Sequence, residues 1–167
     1  WNKFNRYGES TLLDDIAGSL AIDDGYSISP DTRRMAYWYG LTNEQWELTI
    51  MQLDGAAPER RKIVEGALSQ DTSEWAFPQN PLWLPDSKGL VYGVAEATNT
   101  YALYLAITDE EDPVQLMRTR QGEQVASFRY TLSADGSRVA VCVTFMGDSA
   151  NRVSLYLVDL ALPGEAQ

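Results

Sequence analysis

The sequence predicts an all-β fold built from short strands that recur along the chain. Apolar segments rich in β-branched and aromatic residues follow one another, and several of them alternate with polar residues in the strand period of two. Clusters of Gly, Pro, Asn, Asp and Ser interrupt them at short intervals, as turns do. No long stretch has the 3.6-residue period of an amphipathic helix.

Three segments share one pattern: a short extended lead-in, a corner containing Asp, and an apolar strand. They read YSISPDTRRMAYWYG (26–40), PLWLPDSKGLVYGVA (81–95) and RYTLSADGSRVAVCV (129–143). A further strand follows each one: QWELTIMQLD, TYALYLAITD and RVSLYLVDL. The corner residues Asp31, Asp86 and Asp135 are 55 and 49 residues apart, a spacing close to that of a four-stranded propeller blade.

Turn chemistry accounts for the corners. Asp and Ser side chains accept backbone N–H bonds in tight turns, and Pro30 and Pro85 fit the end of a strand better than its middle. Ser29 and Asp31 are also a nucleophile and a carboxylate, but the recurrence of the corner favours a turn. The strands after the corners are apolar enough to predict burial on both faces, with Tyr37, Trp38 and Tyr39 packed largely in the core.

The corners resemble the SPDG-K signature of TolB-type β-propeller repeats, and LYLVDL resembles the third-strand pattern of that family. Thr32 and Ser87 stand where the signature has Gly, Leu84 where it has Ser, and Ala134 where it has Pro. The resemblance implies an all-β chain of three propeller blades and favours an extracytoplasmic location, in the periplasm or at the cell surface.

The repeats predict the boundaries within one partial propeller domain, residues 1–167. Blade 1 is expected at 25–66, blade 2 at 80–119 with 114–119 as its outer strand, and blade 3 at 124–167 without an outer strand. Residues 1–24 are expected to hold an orphan outer strand and a linker. That strand contains Thr11, Leu12 and Leu13, because Thr11 precedes Asp31 by the same distance as Gln115 precedes Asp135.

Three blades are fewer than the four to eight of a closed propeller. Three arrangements follow from this shortfall. Two chains could form a six-bladed ring, each donating Thr11, Leu12 and Leu13 to the last blade of the other. Alternatively, the chain is part of a larger propeller, or it is an open arc capped by a protein partner. We favour association in some form, with the homodimer as its sharpest version, because an isolated chain would expose unpaired strand edges and an apolar blade face.

Composition narrows the function. The formal charge of −11 argues against nucleic acid as a partner, and no apolar run is long enough to insert in a membrane. The sequence has no histidine, which removes Ser-His-Asp triads and histidine-ligated zinc. We predict no catalytic residue, no metal and no cofactor. The single cysteine, Cys142, lies in an apolar strand, so we expect it to be buried.

Four aromatic residues are predicted to contact a partner. Trp75 and Phe77 lie in a long polar connection between blades. Trp46 lies in the strand segment QWELTIMQLD and Trp83 in the lead-in before the corner of Asp86. An alternative is that Trp75 folds back over the inner strands. The function predicted is a non-catalytic interaction, scaffold or sensor module. The alternative is an accessory, substrate-gating propeller of a prolyl-oligopeptidase-type enzyme whose catalytic domain lies outside this chain.

Overall fold

The computed structural model describes residues 2–4, 10–12, 21–42, 45–54, 59–67, 80–97, 100–110, 112–147 and 150–160. Within these ranges the chain forms thirteen strands and no helix. Every strand pairing is antiparallel, and the strands group into one hairpin and three sheets, here called blades 1, 2 and 3. The predicted all-β class is confirmed.

Strands follow chain order within each blade. The hairpin consists of β1 (Asn2–Phe4) and β2 (Ser10–Leu12). Blade 1 contains β3 (Ala21–Ile28), β4 (Arg34–Thr42), β5 (Gln45–Gln52) and β6 (Arg60–Ala67). Blade 2 contains β7 (Leu82–Trp83), β8 (Gly89–Ala97), β9 (Thr100–Ile107) and β10 (Val114–Arg118). Blade 3 contains β11 (Val125–Leu132), β12 (Arg138–Phe145) and β13 (Arg152–Asp159).

The three corners have one backbone geometry. Thr32, Ser87 and Gly136 occupy the same position in the three segments, and all are left-handed, with φ of 61°, 64° and 74°. This region favours glycine because a Cβ crowds the backbone there. Thr32 and Ser87 therefore stand in the place of the signature glycine conformationally as well as in sequence.

The corner aspartates act as turn acceptors. Each carboxylate accepts the backbone N–H of the residue two positions later, in the pairs Asp31–Arg33, Asp86–Lys88 and Asp135–Ser137, at 2.9–3.1 Å. Ser29 and Ser133 each donate a hydroxyl hydrogen bond of 2.6 Å to the aspartate of their own corner. These bonds hold the pKa of Asp31 below its usual value and that of Asp135 at about 2. The turn interpretation of Ser29 and Asp31 is confirmed.

Successive corners touch one another. The backbone N–H of Asp31 donates to Ser87 Oγ at 3.0 Å, which joins the corners of blades 1 and 2. Gly136 lies so close to Pro85 that a Cβ at this glycine would stand 2.5 Å from the proline Cδ. The corners of the three blades therefore lie side by side along one edge of the chain's fold.

The core lies between the blades. One apolar cluster joins blades 1 and 2, a second joins blades 2 and 3, and a smaller group of Met35, Tyr37 and Met51 lies on the other side of blade 1. Consecutive residues of β4 and β8 are buried, as predicted for strands covered on both faces. The same prediction is wrong for β12, where Val139, Val141, Val143 and Phe145 are buried but the residues between them are exposed or half-buried.

The predicted orphan strand has a partner in the structure. Thr11 and Leu12 lie in β2, where they pair with Lys3 and Asn2 of β1, so this segment is one arm of a hairpin. Leu13 lies outside the described residues. The phase of the corner spacing located a strand here, but it carried no information about the short strand that precedes it.

Candidate interaction surface

The third strand of every blade carries two large aliphatic residues at equivalent positions. These are Leu48 and Ile50 in β5, Leu103 and Leu105 in β9, and Leu155 and Leu157 in β13. In blades 1 and 2 they are 0% to 6% exposed. In blade 3, Leu155 is 80% exposed and Leu157 is 61% exposed. The same sequence feature is thus core in two blades and surface in the third.

The next blade along the chain accounts for this difference in exposure. Leu48 and Ile50 pack in one cluster with residues of the second strand of blade 2, which are Leu90, Tyr92 and Val94. Leu103 and Leu105 pack in one cluster with the equivalent residues of blade 3, which are Val139, Val141 and Val143. No described residue takes this place against Leu155 and Leu157, given their exposure.

Register shows that the exposed residues form one continuous face. Ala140, Cys142 and Thr144 of β12 pair with Leu157, Leu155 and Val153 of β13, so all six side chains point to the same side of blade 3. We call these six residues the open face. Cys142 is half-buried on this face, which corrects the expectation that it lies in the core. Its strand is apolar, but only one side of that strand is covered.

Burying the open face would be favourable. Transfer of a leucine or valine side chain from water into a core contributes ~1.5–3 kcal/mol. Val153, Leu155 and Leu157 retain more than half of their exposure, so much of that free energy is still available to a partner. A contiguous apolar patch of this kind is typical of a protein–protein interaction site.

Charges at the edge of the open face are balanced. Arg138 Nε lies 2.8 Å from Asp159 Oδ1, and this cross-strand pair occupies one end of the face. Arg129 of β11 is exposed and pairs with Cys142 in the sheet register, which places it on the same side. The face therefore lacks the strongly negative character of the chain as a whole.

A second candidate is a cleft of about 470 Å³ between the outer parts of blades 1 and 2. Tyr104 lies in its wall, stacked on Tyr92 at 5.6 Å, and donates a hydrogen bond to Glu96. Glu96 also forms an ion pair with Arg118, whose Nε lies 2.8 Å from Glu96 Oε2. Burial and the nearby Glu96 carboxylate raise the pKa of Tyr104 to about 12, so the phenol stays protonated at neutral pH. These groups satisfy one another and hold β8, β9 and β10 together at the cleft.

The predicted contact residues have different locations. Trp83 is only 7% exposed: it packs between blades 1 and 2 and donates from Nε1 to the Ser27 carbonyl at 3.2 Å. This burial does not fit a partner contact and corrects the expectation for Trp83, whose side chain the neighbouring blade covers. Trp46 lies in β5 opposite Gly40, and its side chain is outside the described set. Trp75 and Phe77 lie outside the described residues.

Sequence reasoning missed Leu155 and Leu157 as site residues. A signal was present, because LYL recurs in TYALYLAI and RVSLYLVD at the same phase of the repeat. The prediction favoured aromatic residues instead, since exposed tryptophan is a common interface anchor. Aliphatic residues in a strand are ordinarily buried in the core. Leu155 and Leu157 differ from their counterparts only in that no described residue packs over them.

The described residues contain no group of three or more His, Cys, Asp or Glu side chains that could hold a metal ion. In the same part of the chain, no helix has the length and apolar character needed to cross a membrane.

Comparison with solved structures places this arrangement among known folds. A structure from a study of two prolyl endopeptidases matches 97% of the chain with a TM-score of 0.60 and 19% identity. TolB from Acinetobacter baumannii matches 94% of the chain with a TM-score of 0.55 and 19% identity. The chain has a TolB-like β-propeller fold. The predicted resemblance is therefore confirmed at the level of the fold.

The matches extend over only part of the larger proteins. The propeller segment spans 24% of the prolyl endopeptidase chain and 37% of the TolB chain. The AtxE2 isopeptidase matches 72% of the segment with a TM-score of 0.51 and 16% identity, over 20% of its own length. No protein-family model matches the sequence, and no curated protein is significantly similar to it.

Proposed function

We propose that this TolB-like propeller segment is a non-catalytic interaction module that binds protein through the open face of blade 3. One observation carries the proposal: Leu155 and Leu157 are exposed, whereas their counterparts in blades 1 and 2 are covered by another blade. The occupant should therefore bring an apolar sheet surface, as a propeller blade does. The likeness to TolB supports a scaffold or sensor role outside the cytoplasm.

A stability comparison tests whether the open face is free for a partner. In dilute solution we expect the double variant Leu155→Glu/Leu157→Glu to unfold within about 0.5 kcal/mol of the wild type, because substitutions at exposed sites change stability little. We expect Leu103→Ala to lower the free energy of unfolding by about 2–5 kcal/mol, because it opens a cavity between blades 2 and 3. Urea titration followed by circular dichroism measures both.

Val114→Glu is the matched control, since Val114 is 52% exposed in β10 and lies outside the open face. A double variant as unstable as Leu103→Ala would refute the proposal. In that case Leu155 and Leu157 would belong to the core of the chain itself.

The alternative function is an accessory propeller of a peptidase. The match to a prolyl endopeptidase over nearly the whole segment favours it, and so does the match to an isopeptidase. The open face would then carry the next blade of one larger propeller. The complete coding sequence discriminates: an α/β-hydrolase region with a G-x-S-x-G motif in the same polypeptide supports this alternative over the independent module.

A further inference from the structure

We propose that the occupant of the open face is a second copy of this chain, bound face to face about a two-fold axis. This inference rests on the proposed interaction function and names the partner. Each copy would cover Val153, Leu155 and Leu157 of the other with its own three residues. The result would be a closed dimer in which two blade 3 sheets pack against each other.

Blade 1 explains why the two copies meet through the same surface. A head-to-tail ring would place Leu155 and Leu157 of one copy on the second strand of blade 1 in the other. The equivalent positions there are Met35 and Tyr37, and each is only 3% exposed within a single chain. The surface that a head-to-tail contact needs is therefore already covered, whereas the open face is free on every copy.

Charge favours the same pairing. Each chain carries a formal charge of −11, so most surfaces of two copies repel each other. The open face has no charged member, and the Arg138–Asp159 pair at its end is balanced. Arg129 adds a positive charge on the same side of blade 3. Two copies can meet there without burying carboxylates against carboxylates.

The shape of the surface also fits. From Val153 to Leu157 the apolar row extends about 13 Å along β13, at roughly 3.3 Å per residue. The row is flanked by Ala140 and Cys142, which are small enough to leave room for leucines from a facing sheet. Sheets that pack face to face lie about 10 Å apart, a distance that aliphatic side chains fill.

Sedimentation over a roughly hundredfold range of concentration tests the pairing, since association follows mass action. We expect the wild type and Val114→Glu to reach a dimer, and Leu155→Glu/Leu157→Glu to remain a folded monomer. The milder variant Leu155→Ala should weaken dimerisation by roughly tenfold or more, as truncation at the centre of an interface does. Circular dichroism of each variant separates loss of pairing from loss of fold.

Cys142 supplies an independent readout because it is the one cysteine of the chain and lies on the open face. A monofunctional maleimide should modify this half-buried thiol more slowly in the wild-type dimer than in the monomeric Leu155→Glu/Leu157→Glu, because a facing sheet covers it. Val114→Glu should be modified at the wild-type rate. Equal rates for the wild type and the double variant would contradict coverage of the open face by a second copy.

Three outcomes would overturn the face-to-face dimer. They are a wild type that stays monomeric, a dimer that survives in Leu155→Glu/Leu157→Glu, and oligomers that grow beyond two copies with concentration. Deletion of residues 1–14 distinguishes the strand-exchange ring from the face-to-face dimer. The face-to-face dimer should persist without that segment, whereas the ring should not form. A monomeric wild type with a stable double variant would remove the second copy as partner but leave the interaction function standing.

Discussion

Gly136 occupies a corner position that requires both a left-handed backbone and the absence of a side chain. Its φ is +74°, and a Cβ would stand 2.5 Å from Cδ of Pro85 in the neighbouring corner. At the equivalent position of blade 2, Ser87 has the same left-handed backbone, with φ of 64°. Its Oγ accepts a hydrogen bond of 3.0 Å from the backbone N–H of Asp31. One position of the repeat therefore makes two different contacts between blades.

Gly136→Ala should destabilise the chain by more than the backbone strain alone. Gly122 provides the control, because its φ is +88° but a Cβ there would meet no atom within 4 Å. We expect Gly122→Ala to cost about 1–2 kcal/mol from its left-handed backbone. Gly136→Ala should cost about 1–3 kcal/mol more, as overpacking does. Equal urea midpoints for the two variants would show that the corners of blades 2 and 3 do not touch.

At the scale of elements, Tyr130 of β11 completes an interrupted ladder in blade 2. The strand β7 is two residues long, and its register with β8, continued past Pro81 and Tyr92, would pair Asn80 with Gly93. The Tyr130 hydroxyl lies at this point: it accepts from the Gly93 N–H at 3.1 Å and donates to the Asn80 carbonyl at 3.3 Å. Gly93 permits the approach, since a Cβ there would lie 2.9 Å from the Tyr130 ring. Blade 3 thus supplies a hydrogen bond that blade 2 lacks.

Tyr130→Phe should lower the free energy of unfolding by about 1–3 kcal/mol, because it leaves the buried Gly93 N–H without this acceptor. Tyr156→Phe is the matched control: Tyr156 is 40% exposed in β13, so the change should stay within about 0.5 kcal/mol. Equilibrium urea unfolding measures both. If the two variants were equally stable, the bridge from blade 3 to blade 2 would contribute nothing.

The whole chain carries a formal charge of −11, and among its described residues the six members of the open face are uncharged. Repulsion between two copies acts over the Debye length, which shortens from ~30 Å at 0.01 M salt to ~10 Å at 0.1 M. The apolar contact itself needs no charge pairs. Salt should therefore assist association of this chain, as expected when repulsion is distributed over the surface and attraction is confined to one face.

We expect the dissociation constant of the dimer to fall by roughly threefold or more between 0.02 and 0.5 M sodium chloride, because screening removes repulsion between two chains of charge −11. Sedimentation equilibrium at each salt concentration measures it, and potassium chloride in place of sodium chloride controls for specific ion effects. Weaker association at high salt would indicate an interface held by ion pairs.

Much of the fold could be predicted from the sequence because its signals are local. The corner residues Asp31, Asp86 and Asp135 specify turns through their own side chains, and the spacing between them counts strands. The outer strand predicted at 114–119 is present as β10, Val114–Arg118. Each of these features depends on neighbours within a few residues, so repetition along the chain makes it visible.

The candidate site could not be predicted in the same way, because burial depends on what stands opposite a residue. Leu103 of β9 and Leu155 of β13 occupy equivalent positions in the third strands of blades 2 and 3, yet one is 0% and the other 80% exposed. Trp83 was predicted to contact a partner but is 7% exposed, and Cys142 was expected to be buried but is half-buried, because a neighbouring blade covers the first and not the second. The sequence by itself determined the blades and their corners. Only the tertiary structure decided which apolar face has no blade against it, because that cover comes from residues distant in the chain.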